Sequence, residues 1–219
     1  MKIGRFALWF FHPLAQLLFP FKAYGKENIP PESADDRTIL CCNHISDIDP
    51  MYLEMCQRRH IYFMAKAELF RSPFLRWFFG KQLGAFPVER GKGDTKAIDT
   101  AFSLVNEGKL LGIFPEGTRS RDGKLGRAKS GAALIAAQTG ARILPVSITT
   151  REQKVKLFRQ TRIRFGVPIT PEELHLQDAE HPDLRYASRL IMDRIHELMK
   201  EDPLYAEPVE EKEGKRSID

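Results

Sequence analysis

The sequence has 219 residues, of which 42% are hydrophobic and 29% are charged, so the chain can bury a core and is neither wholly disordered nor a small disulfide-linked scaffold. Its 34 basic and 29 acidic side chains give a net charge of +5. Residues 203–219 carry five acids and three bases, a net charge of −2, so the rest of the chain carries +7. Such a basic body favours an anionic partner: nucleic acid, a phosphate-bearing substrate or an anionic membrane surface.

The chain begins with an apolar segment that is too short to span a membrane. Residues 6–21, FALWFFHPLAQLLFPF, contain no charged side chain, and Pro13 interrupts them. A spanning helix needs about 20 apolar residues, and no small-residue cleavage site follows that would mark a signal peptide. We therefore predict that residues 1–23 form a membrane-contacting helix at the cytoplasmic face. The alternative is a helix that packs on the body of the same protein.

A second aromatic and basic stretch supports the membrane interpretation. Residues 69–79, LFRSPFLRWFF, place Arg71 and Arg76 among four phenylalanines and a tryptophan. Bases and aromatic rings in this arrangement suit a lipid interface. They also suit a core helix with outward-reaching arginines, or base stacking on nucleic acid. Because the chain has no recognisable nucleic-acid-binding motif, we predict no nucleic-acid partner.

The middle of the chain alternates between predicted strands and helices. Residues 37–42 form a short apolar strand, and Asp49 followed by Pro50 predicts a helix start with Asp49 as the N-cap. Further predicted strands are 61–64, 83–88, 110–114, 143–148 and 162–167, and predicted helices are 50–58, 94–107, 129–140 and 183–201. This alternation predicts a single α/β domain over residues 24–202, with a mixed central sheet flanked by helices. The acidic tail, 203–219, is predicted to be disordered.

The first candidate site loop, NHISDIDP, directly follows the strand at 37–42. Histidine is the side chain best suited to take a proton from a hydroxyl near neutral pH, and a carboxylate on its other ring nitrogen would fix the tautomer. Asp47 or Asp49 is a possible partner for His44, provided that a turn separates them. Asp49 would then serve both as helix cap and as partner of the histidine. The alternative is an ordinary capped loop.

Two further loops combine glycine with basic residues. FPVERGKGD places Arg90 and Lys92 before a helix, and FPEGTRS places Glu116 and Arg119 after a strand. Glycine-rich loops approach anions closely, and arginine grips phosphate through two hydrogen bonds. One base, one orienting acid and several arginines would together deprotonate a hydroxyl on a phosphorylated substrate.

Other chemistry is less favoured by the sequence. Cys42 lies two residues from His44, and a Cys–His acyl-enzyme is conceivable, but a buried strand cysteine is more common. Zinc at His44, Asp47 and Asp49 would lack further ligands, so we expect no metal and no cofactor.

The order of the motifs resembles a known family. NHISDIDP, FPVERG, FPEGTRS and ILPVSI resemble the four sequence blocks of the glycerolipid acyltransferases, in particular those acting on 1-acylglycerol-3-phosphate (lysophosphatidate), over residues 24–170. The resemblance implies that His44 is the catalytic base and Asp49 its partner. It assigns Pro145 to the acyl-donor side. It places the following residues at the acyl acceptor and its phosphate: Lys66, Arg90, Glu116, Gly117, Thr118 and Arg119.

The resemblance also implies a reaction. An acyl group would pass from acyl-CoA or acyl-carrier protein to the sn-2 hydroxyl of lysophosphatidate, giving phosphatidate in phospholipid biosynthesis. Both lipids partition into the bilayer, so the enzyme would work at a membrane. The four blocks leave open another lysophospholipid, or an ornithine- or glycerol-based lipid, as the acceptor. A non-catalytic protein that binds anionic lipid is the alternative of a different class.

Overall fold

A mixed β-sheet lies at the centre of the computed structural model, which describes residues 3–33, 35–82, 84–88, 94–120, 123–177 and 181–205. Within these ranges, seven strands form one sheet in the order β1-β7-β6-β2-β5-β3-β4. The strands are β1 (Phe21–Tyr24), β2 (Thr38–Cys42), β3 (Ile61–Lys66), β4 (Phe86–Val88), β5 (Leu110–Ile113), β6 (Arg142–Thr150) and β7 (Thr161–Phe165). Strands β6, β2, β5, β3 and β4 run parallel, whereas β7 is antiparallel to β6 and β1 runs parallel to β7.

Helices cover both faces of this sheet. They are α1 (Ile3–Leu18), α2 (Asp49–Cys56), α3 (Pro73–Arg76), α4 (Thr95–Asn106), α5 (Gly131–Thr139) and α6 (Leu184–Lys200). Short 3₁₀ turns occupy Lys26–Asn28 and Ala67–Phe70, and a π-helical turn occupies Trp77–Gln82. No helix in the described part of the chain is long and apolar enough to cross a membrane.

Strand β2 shows how the sequence builds the layers, because all five of its residues are buried. Successive side chains of a strand point to opposite faces. Ile39 and Cys41 pack in one core with residues of α4, α5 and α6, whereas Leu40 and Cys42 pack in a second core with Tyr52 and other residues of α2. A strand buried on both faces reads as a continuous apolar run, as TILC does here.

The predicted α/β class with a mixed sheet flanked by helices is confirmed, and each predicted strand and helix has a counterpart. Strand β1 was not predicted. The expectation that Asp49 is the N-cap of its helix was wrong: Ile48 is the N-cap and Asp49 is the first helical residue. The predicted disordered tail lies, from residue 206 onward, outside the described residues.

The ends of the strands determine where the loops meet. The carboxyl ends of the five parallel strands lie at one edge of the sheet, called here the carboxyl edge. The β6–β7 loop and the start of β1 lie there too, since β7 and β1 run in the opposite direction. Helix α1 also ends there: the Phe158 N–H in the β6–β7 loop donates to Leu18 O at 2.7 Å, and the Thr161 N–H donates to Pro20 O at 2.8 Å. In open α/β sheets, this edge is where ligands bind.

Candidate active site

The loop after β2 is joined at the carboxyl edge to the loop after β5. The Ser120 N–H donates to His44 O at 2.8 Å, and the His44 N–H donates to Glu116 Oε1 at 3.1 Å. The other oxygen of Glu116 accepts from the Gly126 N–H at 2.8 Å. Two of the three motifs singled out in the sequence therefore form one connected site. Glu116 is buried, and this burial raises the pKa of its carboxyl despite the hydrogen bonds that it accepts.

His44 and Asp49 form a close pair. His44 Nδ1 lies 2.8 Å from Asp49 Oδ2, which also accepts from the Ile45 N–H at 2.7 Å and the Ser46 N–H at 2.8 Å. These contacts require the loop to fold back on itself, which explains how residues five apart meet. Asp49 thus organises the loop that precedes its helix and caps no N–H of the helix itself. Burial raises the pKa of Asp49, and the hydrogen bonds from His44 and the two backbone N–H groups oppose that rise.

The surroundings of His44 hold the ring and leave one nitrogen for chemistry. The ring stacks on Phe114 with 4.1 Å between centroids, and Phe114 stacks in turn on Phe63. The His44 side chain is 13% exposed. An ionised Asp49 accepts a hydrogen bond from the N–H at Nδ1 of His44. The ring proton is then on Nδ1, and Nε2 carries the lone pair. Nε2 of His44 is not one of the buried, unpartnered polar atoms in the described part of the chain.

Asn43 is a site residue that the sequence analysis missed. It is buried at the end of β2, where its side-chain N–H donates to Ile148 O at 2.9 Å and its side-chain oxygen accepts from the Ile148 N–H at 2.8 Å. These two bonds extend the pairing of β2 with β6 by one residue and fix the point from which the His44 loop departs. An asparagine between the apolar strand and the histidine was the available signal in the sequence.

Asp47, the other carboxylate considered as a partner for His44, points elsewhere. Its side chain is 78% exposed and forms an ion pair with Arg119 from the loop after β5. Exposed ion pairs contribute little to stability, so this contact leaves both side chains free to exchange partners. The geometry therefore selects Asp49 as the residue that orients the histidine.

A basic cavity of about 440 Å³ lies next to the His44 loop, because Glu116 and Ser120 in its wall bond the backbone of His44. Its lining consists of Glu116, Thr118, Arg119, Ser120, Lys124, Leu125, Gly126 and Arg127. Arg119 was predicted, whereas Lys124 and Arg127 were not; the density of bases in RSRDGKLGRAK was the signal. Gly117 has φ +70°, and a side chain there would meet Lys129 at 2.9 Å, so glycine keeps this turn narrow. A concave wall with three cations suits an anionic group.

The remaining predicted site residues are more dispersed. Lys66 is exposed at the end of β3, at the carboxyl edge. Arg90 lies outside the described residues, as does Lys92. Pro145 lies on β6 beside Cys41, and it lines a separate cavity of about 530 Å³ between β7 and α6. The structure therefore brings His44, Asp49, Glu116, Thr118 and Arg119 together, but not Pro145.

Cys42 is not placed as a nucleophile. It is fully buried, its Sγ lies 3.7 Å from Asn43 Oδ1, and burial raises its pKa well above the ordinary value. The reactive thiolate is therefore suppressed. In the part of the chain that the structure describes, no group of His, Cys, Asp and Glu side chains is arranged to hold a metal ion.

The fold and the site define an α/β protein in which the loop of an oriented histidine is joined to the wall of a basic cavity, an arrangement suited to proton transfer on an anionic substrate. Comparisons with known proteins agree. The sequence profile of the Acyltransferase family matches residues 20–149. The 1-acyl-sn-glycerol-3-phosphate acyltransferase of Bacillus subtilis (strain 168) is 32% identical over 182 residues, covering 82% of this chain and 86% of that protein.

A chloroplastic 1-acyl-sn-glycerol-3-phosphate acyltransferase of Brassica napus is 32% identical over 158 residues, covering 68% of this chain and 45% of that longer protein. The crystal structure of the 1-acyl-sn-glycerophosphate (LPA) acyltransferase PlsC from Thermotoga maritima superposes with a TM-score of 0.64 at 25% identity, covering 94% of this chain and 79% of that one. The chain therefore belongs to the acyltransferase family, and it is an O-acyltransferase. This membership favours an enzyme over the non-catalytic lipid-binding alternative.

Proposed function

We propose that the enzyme transfers an acyl group from a thioester to the sn-2 hydroxyl of 1-acylglycerol-3-phosphate, with His44 as the general base. The observation that carries this proposal is the 2.8 Å contact between His44 Nδ1 and Asp49 Oδ2, in a loop whose backbone bonds Glu116 and Ser120 in the wall of a cavity lined by three cations. The relatives named above, which act on this acceptor according to their names, support the same substrate.

The proposed reaction is a direct transfer. His44 Nε2 removes the proton from the acceptor hydroxyl, and the oxygen attacks the carbonyl carbon of the thioester. The tetrahedral intermediate collapses, the C–S bond breaks, and the imidazolium returns the proton to the departing thiolate. Asp49 holds the ring in the required tautomer and stabilises the imidazolium. The scheme needs no cofactor beyond the thioester, which is either acyl-CoA or acyl-carrier protein.

The acceptor phosphate would bind in the basic cavity. Arg119 would leave its exposed partner Asp47 and grip the phosphate, and Lys124 and Arg127 would add charge to the same wall. Thr118 and the narrow turn at Gly117 would let the backbone approach the anion. We further propose that Lys66, at the end of β3, and Arg90 also contact the acceptor. Such contacts would position the hydroxyl for reaction.

Glu116 has a different role in this proposal. Both of its oxygens accept backbone N–H groups, so it would act on the acceptor indirectly, by holding the His44 loop against the cavity loop. Pro145 remains a candidate for the donor side. Its cavity lies between β7 and α6, on the face of the sheet covered by α6.

The site must also open to a bilayer, because acceptor and product are membrane lipids. Helix α1 exposes an apolar stripe formed by Phe10, Leu14 and Leu17, which are spaced to share one side of a helix. The turns after β3 expose Leu69, Phe74 and Trp77. We propose that these two surfaces rest on the membrane at its cytoplasmic face.

The test is acyl transfer by the purified full-length protein. Labelled acyl-CoA and, separately, acyl-carrier protein are offered with lysophosphatidate in mixed micelles, and wild type is compared with His44→Ala. Formation of phosphatidate by wild type and its loss in a folded His44→Ala protein are expected. Turnover that survives His44→Ala would exclude the proposed base. Acylation of other lysolipids in preference to lysophosphatidate would replace the acceptor but keep the chemistry.

A further inference from the structure

The β6–β7 loop, residues 151–160, combines exposed apolar side chains with four basic residues. Leu157 is 54% exposed and Phe158 is 65% exposed at its tip. The loop contains four bases and one acid, a net charge of +3. All four bases are exposed: Arg151, Lys154, Lys156 and Arg159. None of these residues belongs to the candidate active site.

The fold holds the loop in this form. Val155 packs into the core on the α2 side of the sheet, and the Thr150 hydroxyl donates to Lys154 O at 3.3 Å. Phe158 has φ +59°, in the left-handed region that a bulky side chain rarely adopts. Its N–H donates to Leu18 O at 2.7 Å. The tip is therefore anchored from beneath while its two largest apolar side chains face outward.

The position of the loop connects it to other apolar surface. Its bond to Leu18 places the tip at the end of α1, where Leu17 is also exposed. The loop leaves β6 at the carboxyl edge, where its neighbour β2 leads into His44. Exposed apolar side chains of α1 and of the loop therefore lie near each other, at the edge that contains the candidate active site.

We propose that the β6–β7 loop is a membrane-docking element that inserts Leu157 and Phe158 at the headgroup boundary and sets its bases against anionic lipid. Large apolar side chains at the tip match the interfacial region of a bilayer, and flanking lysines and arginines match its negative surface. The loop adds a third anchor beside α1 and the turns after β3. With it, the carboxyl edge faces the bilayer from which the acceptor comes.

The first experiment places a probe on the loop of the full-length protein. The native cysteines at 41, 42 and 56 are buried, so Phe158→Cys offers one accessible thiol for an environment-sensitive fluorophore. Val167→Cys is the matched control, because Val167 is 74% exposed and follows β7 at the opposite edge. Vesicles contain phosphatidylcholine with roughly one third phosphatidylglycerol. A blue-shifted, brighter signal at position 158, but not at 167, is expected.

The second experiment measures vesicle binding without a label. Phe158→Asn removes the ring and keeps a residue that tolerates the left-handed backbone. Its partition onto anionic vesicles is expected to fall about tenfold, whereas Val167→Asn should bind like wild type. Lys154→Gln and Lys156→Gln should each cost about fivefold on anionic vesicles and little on neutral ones.

Three outcomes would overturn the proposal. The first is a probe at position 158 that responds no more than one at 167 while the protein sediments with the vesicles. The second is the absence of any vesicle binding. The third is a response to acyl-carrier protein in solution but not to vesicles, which would make the loop a docking surface for an acidic protein. Because these readouts measure binding, they are independent of whether the proposed reaction occurs.

Discussion

A histidine–carboxylate pair lies at each end of helix α2, and the distance from Nδ1 to the carboxylate oxygen is the same in both. At the start of the helix, His44 Nδ1 lies 2.8 Å from Asp49 Oδ2, and just beyond its end His60 Nδ1 lies 2.8 Å from Glu54 Oε1. Both carboxylates also accept a backbone N–H: Asp49 from Ile45 at 2.7 Å and Glu54 from Ile61 at 2.9 Å. The side chains of both histidines are 13% exposed.

The pairs differ in what surrounds the second ring nitrogen. His60 lies at the amino edge, before β3, and its Nε2 is buried without a hydrogen-bond partner next to Gly84, where a Cβ would lie 2.3 Å away. His44 lies at the carboxyl edge beside the basic cavity. A histidine oriented by a carboxylate therefore does not define a site by itself. The basic wall joined to the His44 loop distinguishes this pair from that of His60.

The largest expected difference follows from removing each histidine. His44→Ala should lower kcat about 10²–10⁴-fold, the usual contribution of a general base. His60→Ala should leave kcat unchanged but lower the free energy of unfolding by about 1–3 kcal/mol, because the buried Glu54 loses one of its hydrogen-bond partners. Acyl-transfer kinetics and urea unfolding of both variants measure this contrast. Loss of turnover in a folded His60→Ala protein would contradict it.

A smaller but sharper contrast concerns the carboxylates. Asp49→Asn should lower kcat by about 10²-fold or more, since an amide allows the wrong tautomer of His44. Glu54→Gln should retain wild-type kcat. Asp47→Asn is the control within the same loop, because Asp47 is exposed and faces Arg119. If Asp47→Asn were as inactive as Asp49→Asn, the assignment of the orienting residue would be wrong.

These pairs also show what the sequence was able to predict. The loop NHISDIDP pointed to His44 with Asp47 or Asp49 as its partner, and the resemblance to the glycerolipid acyltransferases favoured Asp49. The sequence did not predict how Asp49 acts in its loop. An aspartate before a proline is typical of a helix N-cap, but here its oxygen accepts the backbone N–H groups of Ile45 and Ser46 instead. The pair of His60 with Glu54 was not predicted, because it depends on how α2 turns into β3.

The fold likewise contains contacts between distant parts of the chain that the sequence pattern does not predict. Buried runs such as residues 37–42 and 143–148 are apolar enough to be recognised as strands. Strand β1 has only four residues, and its partner is distant in sequence, with Phe21 opposite Thr161. No local pattern predicts such a pairing. The basic cavity likewise depends on Gly126 reaching Glu116 across a loop, which composition alone does not show.

The third prediction compares the two edges through their arginines. Arg119→Ala should raise the KM for lysophosphatidate about 10–100-fold, the cost of losing charged hydrogen bonds to phosphate. Arg142→Ala is the matched control at the amino edge, where Arg142 lies 3.7 Å from Asp36. The KM of the Arg142→Ala enzyme for lysophosphatidate should not change. Initial rates at varied acceptor and fixed donor measure both. A rise in the donor's KM in place of the acceptor's would move Arg119 to the other substrate.

The smallest expected effect concerns Glu116. Burial raises the pKa of Glu116 above the ordinary value of 4.5. The folded protein then binds the Glu116 proton more tightly than the unfolded chain. The stability from this group is therefore complete below pH 4.5 and is lost as the pH rises through the raised pKa. Glu116→Gln removes this component, so its unfolding free energy should fall less steeply above pH 4.5 than that of wild type.

Urea unfolding of both proteins between pH 4 and 8 measures the difference in slope. Asp49, whose pKa is also raised, titrates in both proteins, so the difference reports on Glu116 together with its charge coupling to Asp49. Glutamine retains one acceptor for the two N–H groups of His44 and Gly126, and the variant should therefore be less stable in absolute terms while being less dependent on pH. Parallel slopes would mean that Glu116 ionises in the folded protein as easily as in the unfolded chain, and that its two hydrogen bonds offset its burial.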